Sequence, residues 1–484
     1  MKIKILLFTV IQLNIHLSCS DAQTVDFSIL LGDQAGGQHS ITIDKEGFIY
    51  SAGTTNDPAF PVTQDAYCKI YNGDADAFIT KLSPDGKEII YSTFIGGSGR
   101  EHHCGITVDD SGNVYIVGGT QSKDFPVTQN AFDTTFNGEG EWGGDVYVLK
   151  LSTDGSKLLY STYVGGRQSE TAFNIAVDKQ GFAYIQGSTS SSDFPTTEGS
   201  FNQTLNGVQD AFIAKINQSG SELIYSTFIG GRDIEVAQSI EIDNVGNAYI
   251  TGMTNSVDFP VTCKNITPDG QDAFVLKLNS TGDNLLFSNR IGGESFDIGS
   301  DIAIDPSGNI FITGYTQSAN FPCSNNALDT TYNGKGNERY DWYGDVFLTK
   351  VNSESGQIEY STFLGGSKGD AGIGISCPED NIVYISGNTY SQDFPTSENA
   401  LNKLSNGKQD MFLTVLDLKK NEIIQSTYIG GSENDQTWSK LQADSKRNVF
   451  LMGYTSSIDF PYTFEHIDSK MDKKDNYYII KLKQ

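Results

Sequence analysis

The 484-residue chain is poor in cysteine, tryptophan and histidine, with six, three and five of these residues respectively. Basic residues are also scarce, 33 against 60 acidic ones, which gives a formal net charge of −27. A charge of that size and sign argues against nucleic acid and against a bare anionic membrane surface as partners. After the first 22 residues, no apolar run is long enough to cross a bilayer, so we predict no transmembrane segment.

Several sequence signatures of catalysis and cofactor binding are missing. The chain has no nucleophile elbow, no P-loop and no dinucleotide fingerprint, and we therefore predict no cofactor. The sixty acidic residues mark out no carboxylate pair for glycoside hydrolysis. No window keeps an apolar period of 3.6 residues, which argues against helices.

The most prominent feature of the sequence is one segment that recurs. The segment DAFITKLSPDGKEIIYSTFIGG starts at Asp76, and related copies start at Asp145, Asp210, Asp272, Asp345 and Asp410. A truncated copy, DNYYIIKLKQ, starts at Asp475. The steps between these positions are 69, 65, 62, 73, 65 and 65 residues, so the chain is an array of one supersecondary unit.

Each unit contains four short runs rich in β-branched and aromatic residues. In the second unit these runs are ITVD, VYIVGGT, DVYVLKL and LLYSTYVGG, and turn signals such as DDSGN and STDG separate them. The aspartate and glycine of these turns have the chemistry that tight turns require. Four short antiparallel strands per unit are typical of a β-propeller blade.

The two ends of the chain complement each other. The propeller region opens with a lone fourth strand, Phe27–Gly32, and closes with a lone third strand, Tyr477–Leu482. Their pairing would complete a seventh blade and remove two exposed strand edges. We therefore predict an all-β, seven-bladed β-propeller of four-stranded antiparallel blades, one domain over residues 23–484, closed by the terminal strands and monomeric.

The recurring GxT…DFP, DAFxxKL and YSTxxGG segments resemble the bacterial SBBP family of β-propeller repeats. The resemblance covers essentially all of the chain after residue 22. It implies the propeller fold and leaves the activity open, because propellers host binding, scaffolding and catalysis.

Residues 1–22 have the layout of a signal peptide, in which two lysines precede a short apolar run. Two processing routes are open. Ser20–Ala22 has the small–x–small form of an ordinary cleavage site, whereas Leu17–Cys19 resembles a bacterial lipobox. We therefore expect a bacterial protein that is secreted, or held at the cell surface by a lipid on Cys19.

The cysteines after residue 22 do not form a shared disulfide framework. They are odd in number and occupy different positions in different repeats: Cys68, Cys104, Cys263, Cys323 and Cys377. We expect small buried or loop residues. The run His102–Cys104 suggests a metal ligand set, but no second cluster with ligand spacing supports it, so we predict no metal site.

The scarce residue types concentrate on one face of the predicted ring. Loops from a fourth strand to the next inner strand open on the same face as loops between strands two and three, and we call this the long-loop face. It carries Trp142, Trp342, Trp438, His39, His102, His103, Arg100, Arg167, Arg232 and Arg339. Two enlarged loops, Asn137–Gly144 and Asn333–Gly344, are predicted to face each other across the mouth of the ring. Aromatic walls with arginine forks suit an anionic polysaccharide as the partner.

Two functions fit this face. The first is a lyase that cleaves an ulvan-like, uronate-containing polysaccharide by β-elimination, which needs a partner for the carboxylate, a base and an acid. We assign the base or carboxylate partner to a histidine among His39, His102 and His103, and the acid to Tyr340 or Tyr343. Propeller-type ulvan lyases are similar in architecture and residue types. The alternative is a non-catalytic cell-surface propeller that binds glycan or protein; the histidines, which a pure binder does not need, favour the lyase.

Overall fold

The computed structural model describes residues 23–33, 39–138, 144–263, 270–334, 343–461, 463 and 476–483. These residues form seven antiparallel sheets and no helix, which confirms the predicted seven-bladed propeller. Strand β1 (Thr24–Asp33) belongs to the last blade. Blade 1 is β2 (Ser40–Ile43), β3 (Ile49–Thr55), β4 (Asp76–Leu82) and β5 (Ile89–Ile95). Blade 2 is β6 (Glu101–Val108), β7 (Val114–Thr120), β8 (Asp145–Leu151) and β9 (Leu158–Val164).

The next blades repeat this order from the innermost to the outermost strand. Blade 3 is β10 (Glu170–Val177), β11 (Ala183–Thr189), β12 (Asp210–Ile216) and β13 (Leu223–Ile229). Blade 4 is β14 (Glu235–Ile242), β15 (Ala248–Thr254), β16 (Asp272–Leu278) and β17 (Leu285–Ile291). Blade 5 is β18 (Asp297–Ile304), β19 (Ile310–Thr316), β20 (Asp345–Val351) and β21 (Ile358–Leu364). Blade 6 is β22 (Asp370–Glu379), β23 (Ile382–Thr389), β24 (Asp410–Asp417) and β25 (Glu422–Ile429).

Blade 7 closes the ring with strands from both ends of the chain. Its inner strand is split into β26 (Asp435–Gln436) and β27 (Gln442–Ala443), followed by β28 (Val449–Thr455) and β29 (Asn476–Lys483). Strand β1 then pairs antiparallel with β29, from Thr24 opposite Lys483 to Asp33 opposite Asn476. The predicted closure by terminal strands is confirmed.

The register corrects one detail of the repeat. Thr455 pairs with Asn476 in blade 7, as Thr55 pairs with Asp76 in blade 1. Asn476, and not Asp475, therefore occupies the position of the repeated aspartate. The sequence match at Asp475 was misleading because an aspartate happens to precede this asparagine.

The repeated motifs are explained by packing between strands. In each blade the phenylalanine of the DFP motif packs against an aromatic residue of the third strand, as Phe60 does on Phe78 with ring centroids 4.3 Å apart. The glycine of the GxT motif makes room for that ring, since a Cβ on Gly53 would lie 2.9 Å from Phe78. Aromatic pairs of this kind fill the spaces between blades.

The DxxGN turns lie on the opposite face, and their aspartates serve the turn itself. Oδ1 of Asp109 accepts hydrogen bonds from the backbone N–H groups of Ser111 at 3.0 Å and Asn113 at 2.9 Å. Oδ2 of Asp109 lies 3.2 Å from Nζ of Lys150, a third-strand residue. These contacts account for the Asp and Gly of the motif as turn chemistry.

The five described cysteines are all free thiols; Cys104, Cys263 and Cys377 are buried and the other two are partly exposed. Within the described ranges, no helix that could cross a membrane is present.

Candidate ligand site at the propeller axis

The inner strands enclose a pocket on the propeller axis, near the long-loop face. Its volume is about 110 Å³, and because one buried water needs about 10–15 Å³ of such space, the pocket has room for about one sugar ring. Side chains from six of the seven blades line it. The lining residues are His39, Ser40, Phe173, Asn174, Gln238, Ile298, Ser300, Asp301, Tyr315, Ile373, Trp438 and Lys440.

One position of the repeat supplies four polar lining residues, Ser40, Asn174, Asp301 and Lys440. It is the residue directly before the buried aliphatic residue of each inner strand, such as Ile41 or Ile302. In the seven blades this position reads Ser40, Gly105, Asn174, Ser239, Asp301, Gly374 and Lys440. Comparing the residues at this position in the seven repeats would have identified Asp301 and Lys440, which were not among the predicted site residues.

Asp301 and Lys440 form an ion pair across the channel. Nζ of Lys440 lies 3.4 Å from Oδ1 of Asp301 and 3.1 Å from Oε1 of Glu241. Asp301 is 1% exposed and also accepts hydrogen bonds from Ser239 Oγ at 2.6 Å and from the Ile375 N–H at 2.9 Å. Burial works to lower the pKa of Lys440, but the two carboxylates outweigh it and raise the pKa. The lysine therefore stays charged beside two carboxyl groups, and burial raises the pKa of one of them, Glu241.

An aromatic cluster forms one side of the mouth. The ring of Tyr343 lies 5.4 Å from Tyr315, 6.1 Å from Tyr390 and 6.3 Å from Trp438. Tyr343 is buried, and burial raises the pKa of its hydroxyl far above the usual value. Tyr315 and Trp438 line the pocket, so Tyr343 packs behind two residues that can touch a ligand.

Of the three predicted histidines, His39 lines the pocket directly. It precedes β2 and is buried, with Nε2 3.3 Å from the carbonyl oxygen of Met452 and its ring 5.2 Å from that of Tyr477. These contacts hold the imidazole against blade 7.

His102 and His103 lie inside β6 rather than in the linker before it. The strand has a bulge between His102 and Cys104, and His103 has a positive φ of 51°. Adjacent side chains of an extended strand point to opposite sides, but the bulge removes that condition for His102 and His103. Their rings are 5.1 Å apart, and the ring of His103 lies 5.1 Å from that of Phe173, which lines the pocket.

The environment of this pair keeps both imidazoles neutral. Burial lowers the pKa of His102 to about 3, with further contributions from His103 and Arg100. Burial, followed by Arg100, lowers the pKa of His103 to about 4. Nε2 of His102 and Nδ1 of His103 are buried without a hydrogen-bond partner among the described residues.

The described arginines are placed away from the pocket. Arg167 and Arg232 are exposed and form ion pairs with the aspartates of DFP motifs, at 3.4 Å to Asp193 and 3.2 Å to Asp258. Arg100 is also exposed and is absent from the pocket lining. The sequence could not show where the side chains of these arginines are directed.

The remaining predicted residues lie outside the described ranges: Trp142, Trp342, Arg339, Tyr340 and the leader with Cys19. Most of the two enlarged loops also falls there.

The structure also contains buried carboxylate pairs that the sequence analysis missed. At each junction from blades 1–2 to blades 6–7, the first residue of a third strand meets the first residue of the next inner strand. The pairs are Asp76–Glu101, Asp145–Glu170, Asp210–Glu235, Asp272–Asp297, Asp345–Asp370 and Asp410–Asp435. A glycine lies between the two members, since a Cβ on Gly96 would come within 2.4 Å of an oxygen of both Asp76 and Glu101.

Burial raises the pKa of these junction carboxylates. The values are about 7 for Glu101, Asp145 and Asp345, about 6 for Asp210 and Asp297, and about 8 for Asp370. Among the described outer strands, only that of junction 4–5 places an arginine against a junction carboxylate: Nη2 of Arg290 lies 2.6 Å from Oδ2 of Asp272. The other described junctions have Phe or Tyr at this position of the outer strand.

Comparison with known proteins agrees with the fold. The model of the SBBP β-propeller repeat matches residues 104–126, 159–195, 224–260 and 287–322. The last three segments each cover the outer strand of one blade and the first two strands of the next. No curated protein is significantly similar in sequence to this chain.

Solved structures that align with this chain are distant. A protein of unknown function from Dyadobacter fermentans shares 12% identity, with 96% of this chain and 99% of that chain covered and a TM-score of 0.45. BamB from Moraxella catarrhalis shares 8% identity, with 96% and 100% covered and a TM-score of 0.36. A europium-containing methanol dehydrogenase shares 9% identity, with 96% and 93% covered and a TM-score of 0.38. None of these comparisons supports the similarity to ulvan lyases.

Proposed function

Because this chain is a β-propeller built from SBBP repeats, we propose that it binds a glycan and receives one sugar residue in the axial pocket. The observation that carries this proposal is the composition of the pocket. Trp438 and Tyr315 offer apolar ring faces beside Asn174, Gln238 and Ser300, which offer hydrogen-bonding groups. An apolar surface with a few convergent polar groups is the usual form of a small-ligand site.

The histidine environment favours binding over catalysis. A general base works best when its pKa lies near the operating pH. The pKa values of about 3 and 4 for His102 and His103 are several units below that range. These imidazoles are therefore weak bases at neutral pH.

A lyase acting on a uronate-containing polysaccharide is the second candidate. It is supported by the two unpartnered ring nitrogens of His102 and His103, beside Phe173 of the pocket wall and close to Arg100. In this candidate a histidine takes the proton next to the uronate carboxyl, the glycosidic carbon–oxygen bond breaks, an acid protonates the leaving oxygen, and the product carries a carbon–carbon double bond. Ultraviolet absorbance of that unsaturated uronate, measured with a panel of uronate polysaccharides, separates the lyase from the binding protein.

The binding proposal is tested with variants that change the pocket but not the ring. Ser300→Phe should fill the pocket and abolish glycan binding in isothermal titration calorimetry. Gln238→Ala should weaken binding. The matched control is Phe296→Ala, because Phe296 is exposed in the linker before β18 and is absent from the pocket lining.

Circular dichroism and thermal unfolding should show folded protein for all three variants. The proposal fails if wild type binds no glycan of a broad array, or if Ser300→Phe binds as tightly as wild type.

We also propose that residues 1–22 direct export, so that the ligand is extracellular. Mass spectrometry of the mature N-terminus checks this, because cleavage after Ala22 leaves Gln23 free, whereas lipidation leaves a modified Cys19 at the terminus. An unprocessed Met1 would contradict it.

A further inference from the structure

We infer that the axial pocket selects a neutral sugar residue and rejects a uronate. This inference rests on the proposed glycan-binding function and reverses the sequence-based prediction of an anionic polysaccharide.

Lys440, Asp301 and Glu241 form what we call the pocket floor, and their charges disfavour an anionic ligand. Lys440 is the only cation among the lining residues, and it is already paired with Asp301 at 3.4 Å and Glu241 at 3.1 Å. Although burial raises the pKa of Glu241, this floor has two carboxyl groups for one ammonium group, so a bound ligand meets more acidic than basic groups there. A uronate carboxylate placed beside Asp301 would meet like charge in a partly desolvated space, where such repulsion is strong.

The described arginines do not form a carboxylate-binding site in the pocket. Carboxylate recognition relies on guanidinium forks that pair with both carboxylate oxygens. The side chains of Arg167 and Arg232 are directed to Asp193 and Asp258, and Arg290 is buried against Asp272. No arginine lines the pocket in the described part of the chain.

The uncharged lining groups match a neutral sugar. Oδ1 of Asn174 accepts the Ile175 N–H at 2.7 Å, which leaves the amide NH₂ group of Asn174 to donate to a ligand. Gln238 and Ser300 are partly exposed at the pocket wall. These groups suit hydroxyl groups, and the ring faces of Trp438 and Tyr315 suit the apolar face of a sugar ring.

The experiment compares ligands that differ only in charge. Oligouronates are reduced at the carboxyl group, so that each –COO⁻ becomes –CH₂OH while linkage and stereochemistry stay the same. Calorimetric titration of the full chain with each reduced oligosaccharide and its parent should give about tenfold tighter binding of the reduced form. Higher salt should narrow this ratio, because screening weakens the repulsion.

A charge variant identifies the source of the selectivity. Glu241→Gln removes one negative charge from the floor and keeps a hydrogen-bonding group beside Lys440. It should reduce the preference for the neutral form several-fold with little change in the affinity for that form. The matched control is Glu294→Gln, since Glu294 is exposed in the linker before β18 and outside the pocket; it should leave the preference unchanged.

The outcomes separate this inference from the proposed function. If the uronate forms bind as tightly as the reduced forms, or more tightly, the selectivity is wrong while the binding function stands. If neither form binds, and no other neutral glycan does, the glycan-binding function itself fails. If Glu294→Gln changes the preference as much as Glu241→Gln, the floor is not its origin.

Discussion

Junctions 4–5 and 5–6 of the ring solve one electrostatic problem in two ways. Both bury a pair of aspartates, Asp272–Asp297 in the first and Asp345–Asp370 in the second. In the first junction Arg290 lies against Asp272 and also donates to the Ser256 carbonyl oxygen at 2.9 Å. In the second junction Phe363 takes the place of the arginine.

The difference shows what the fold requires at these positions. Burying an unpaired charge is costly, and a group that finds no partner is neutralised by a shift of its pKa. Where Arg290 supplies the positive charge, the outer-strand position is occupied by a charged side chain. In junction 5–6, where an aromatic residue keeps that position for packing, burial raises the pKa further, to about 7 for Asp345 and about 8 for Asp370, against about 6 for Asp297.

The largest effect that the comparison predicts is on the pH dependence of stability. The junction carboxyls with raised pKa values have ordinary values near 4 in the unfolded chain, so the folded protein binds more protons than the unfolded one. The contribution of these carboxyls to the free energy of unfolding is complete below about pH 4. It is lost as pH rises through 6 to 8, the range of the folded pKa values. We expect the free energy of unfolding to fall by roughly 5 kcal/mol between pH 5 and pH 8.

His102 and His103 work against this trend, because their folded pKa values lie below the unfolded one. They are two groups against eleven junction carboxyls with raised pKa values, so the carboxyls should dominate. Urea unfolding at both pH values measures the difference, and a free energy that stays flat or rises toward pH 8 would contradict the prediction.

The second prediction removes the arginine from the comparison. Arg290→Phe restores the aromatic residue of the other junctions and leaves Asp272 and Asp297 without a cation. Breaking a buried ion pair costs about 3–5 kcal/mol, and we expect a loss in that range at pH 8 and a smaller one at pH 5, where protons can substitute. Urea unfolding of the variant at the two pH values measures both losses. Arg232→Ala, at an exposed pair, is the control and should change little. Equal losses at both pH values would indicate lost packing rather than lost charge.

The third prediction adds an arginine where none exists. Phe363→Arg places a guanidinium beside Asp345 and Asp370, and we expect the difference in stability between pH 5 and pH 8 to shrink by about 1–3 kcal/mol. The equivalent change at junction 1–2, Phe94→Arg, should reduce the difference in the same way, because burial also raises the pKa of Glu101 to about 7. Thermal unfolding across pH measures both variants. An unchanged pH dependence in Phe363→Arg would show that the two junctions are not equivalent.

The smallest effect concerns the length of the inner-strand acid. Oε1 of Glu101 accepts hydrogen bonds from Thr120 at 2.7 Å and Ser122 at 2.6 Å, whereas Oδ1 of the shorter Asp370 is buried and lacks a described hydrogen bond. Asp370→Glu should recover this hydrogen bond and stabilise the protein by about 1 kcal/mol. Glu101→Asp should lose a similar amount in urea unfolding. A destabilised Asp370→Glu would mean that the junction has no room for the extra methylene group.

The sequence predicted the fold because the repeat makes each blade a check on the others. The residues of the pocket were harder to predict. Rare residue types point to histidine, tryptophan and arginine as candidates. Asp301 and Lys440 belong to common residue types and are not marked out in this way. Their importance comes from facing each other across the axis, which a list of positions in one blade does not show.

The buried carboxylate pairs at the junctions could not be predicted for a related reason. Among sixty acidic residues, nothing local shows that Asp76 meets Glu101 from the next repeat. The bulge at His103 and the pairing of Arg167 with Asp193 are also properties of side-chain packing, which the motif pattern leaves undetermined.

Asn476 should affect which part of the ring loses stability first at high pH. It takes the place of the repeated aspartate where the first and last strands join, and its amide gains no charge at any pH. Raising the pH should therefore ionise the buried carboxyls at junctions 1–2 to 6–7 and weaken these junctions. It adds no charge at Asn476 in the terminal strand. A closed ring made from an open chain would be expected to open where its ends meet; because the internal junctions carry the carboxyls with raised pKa values, we expect this ring to weaken first at an internal junction.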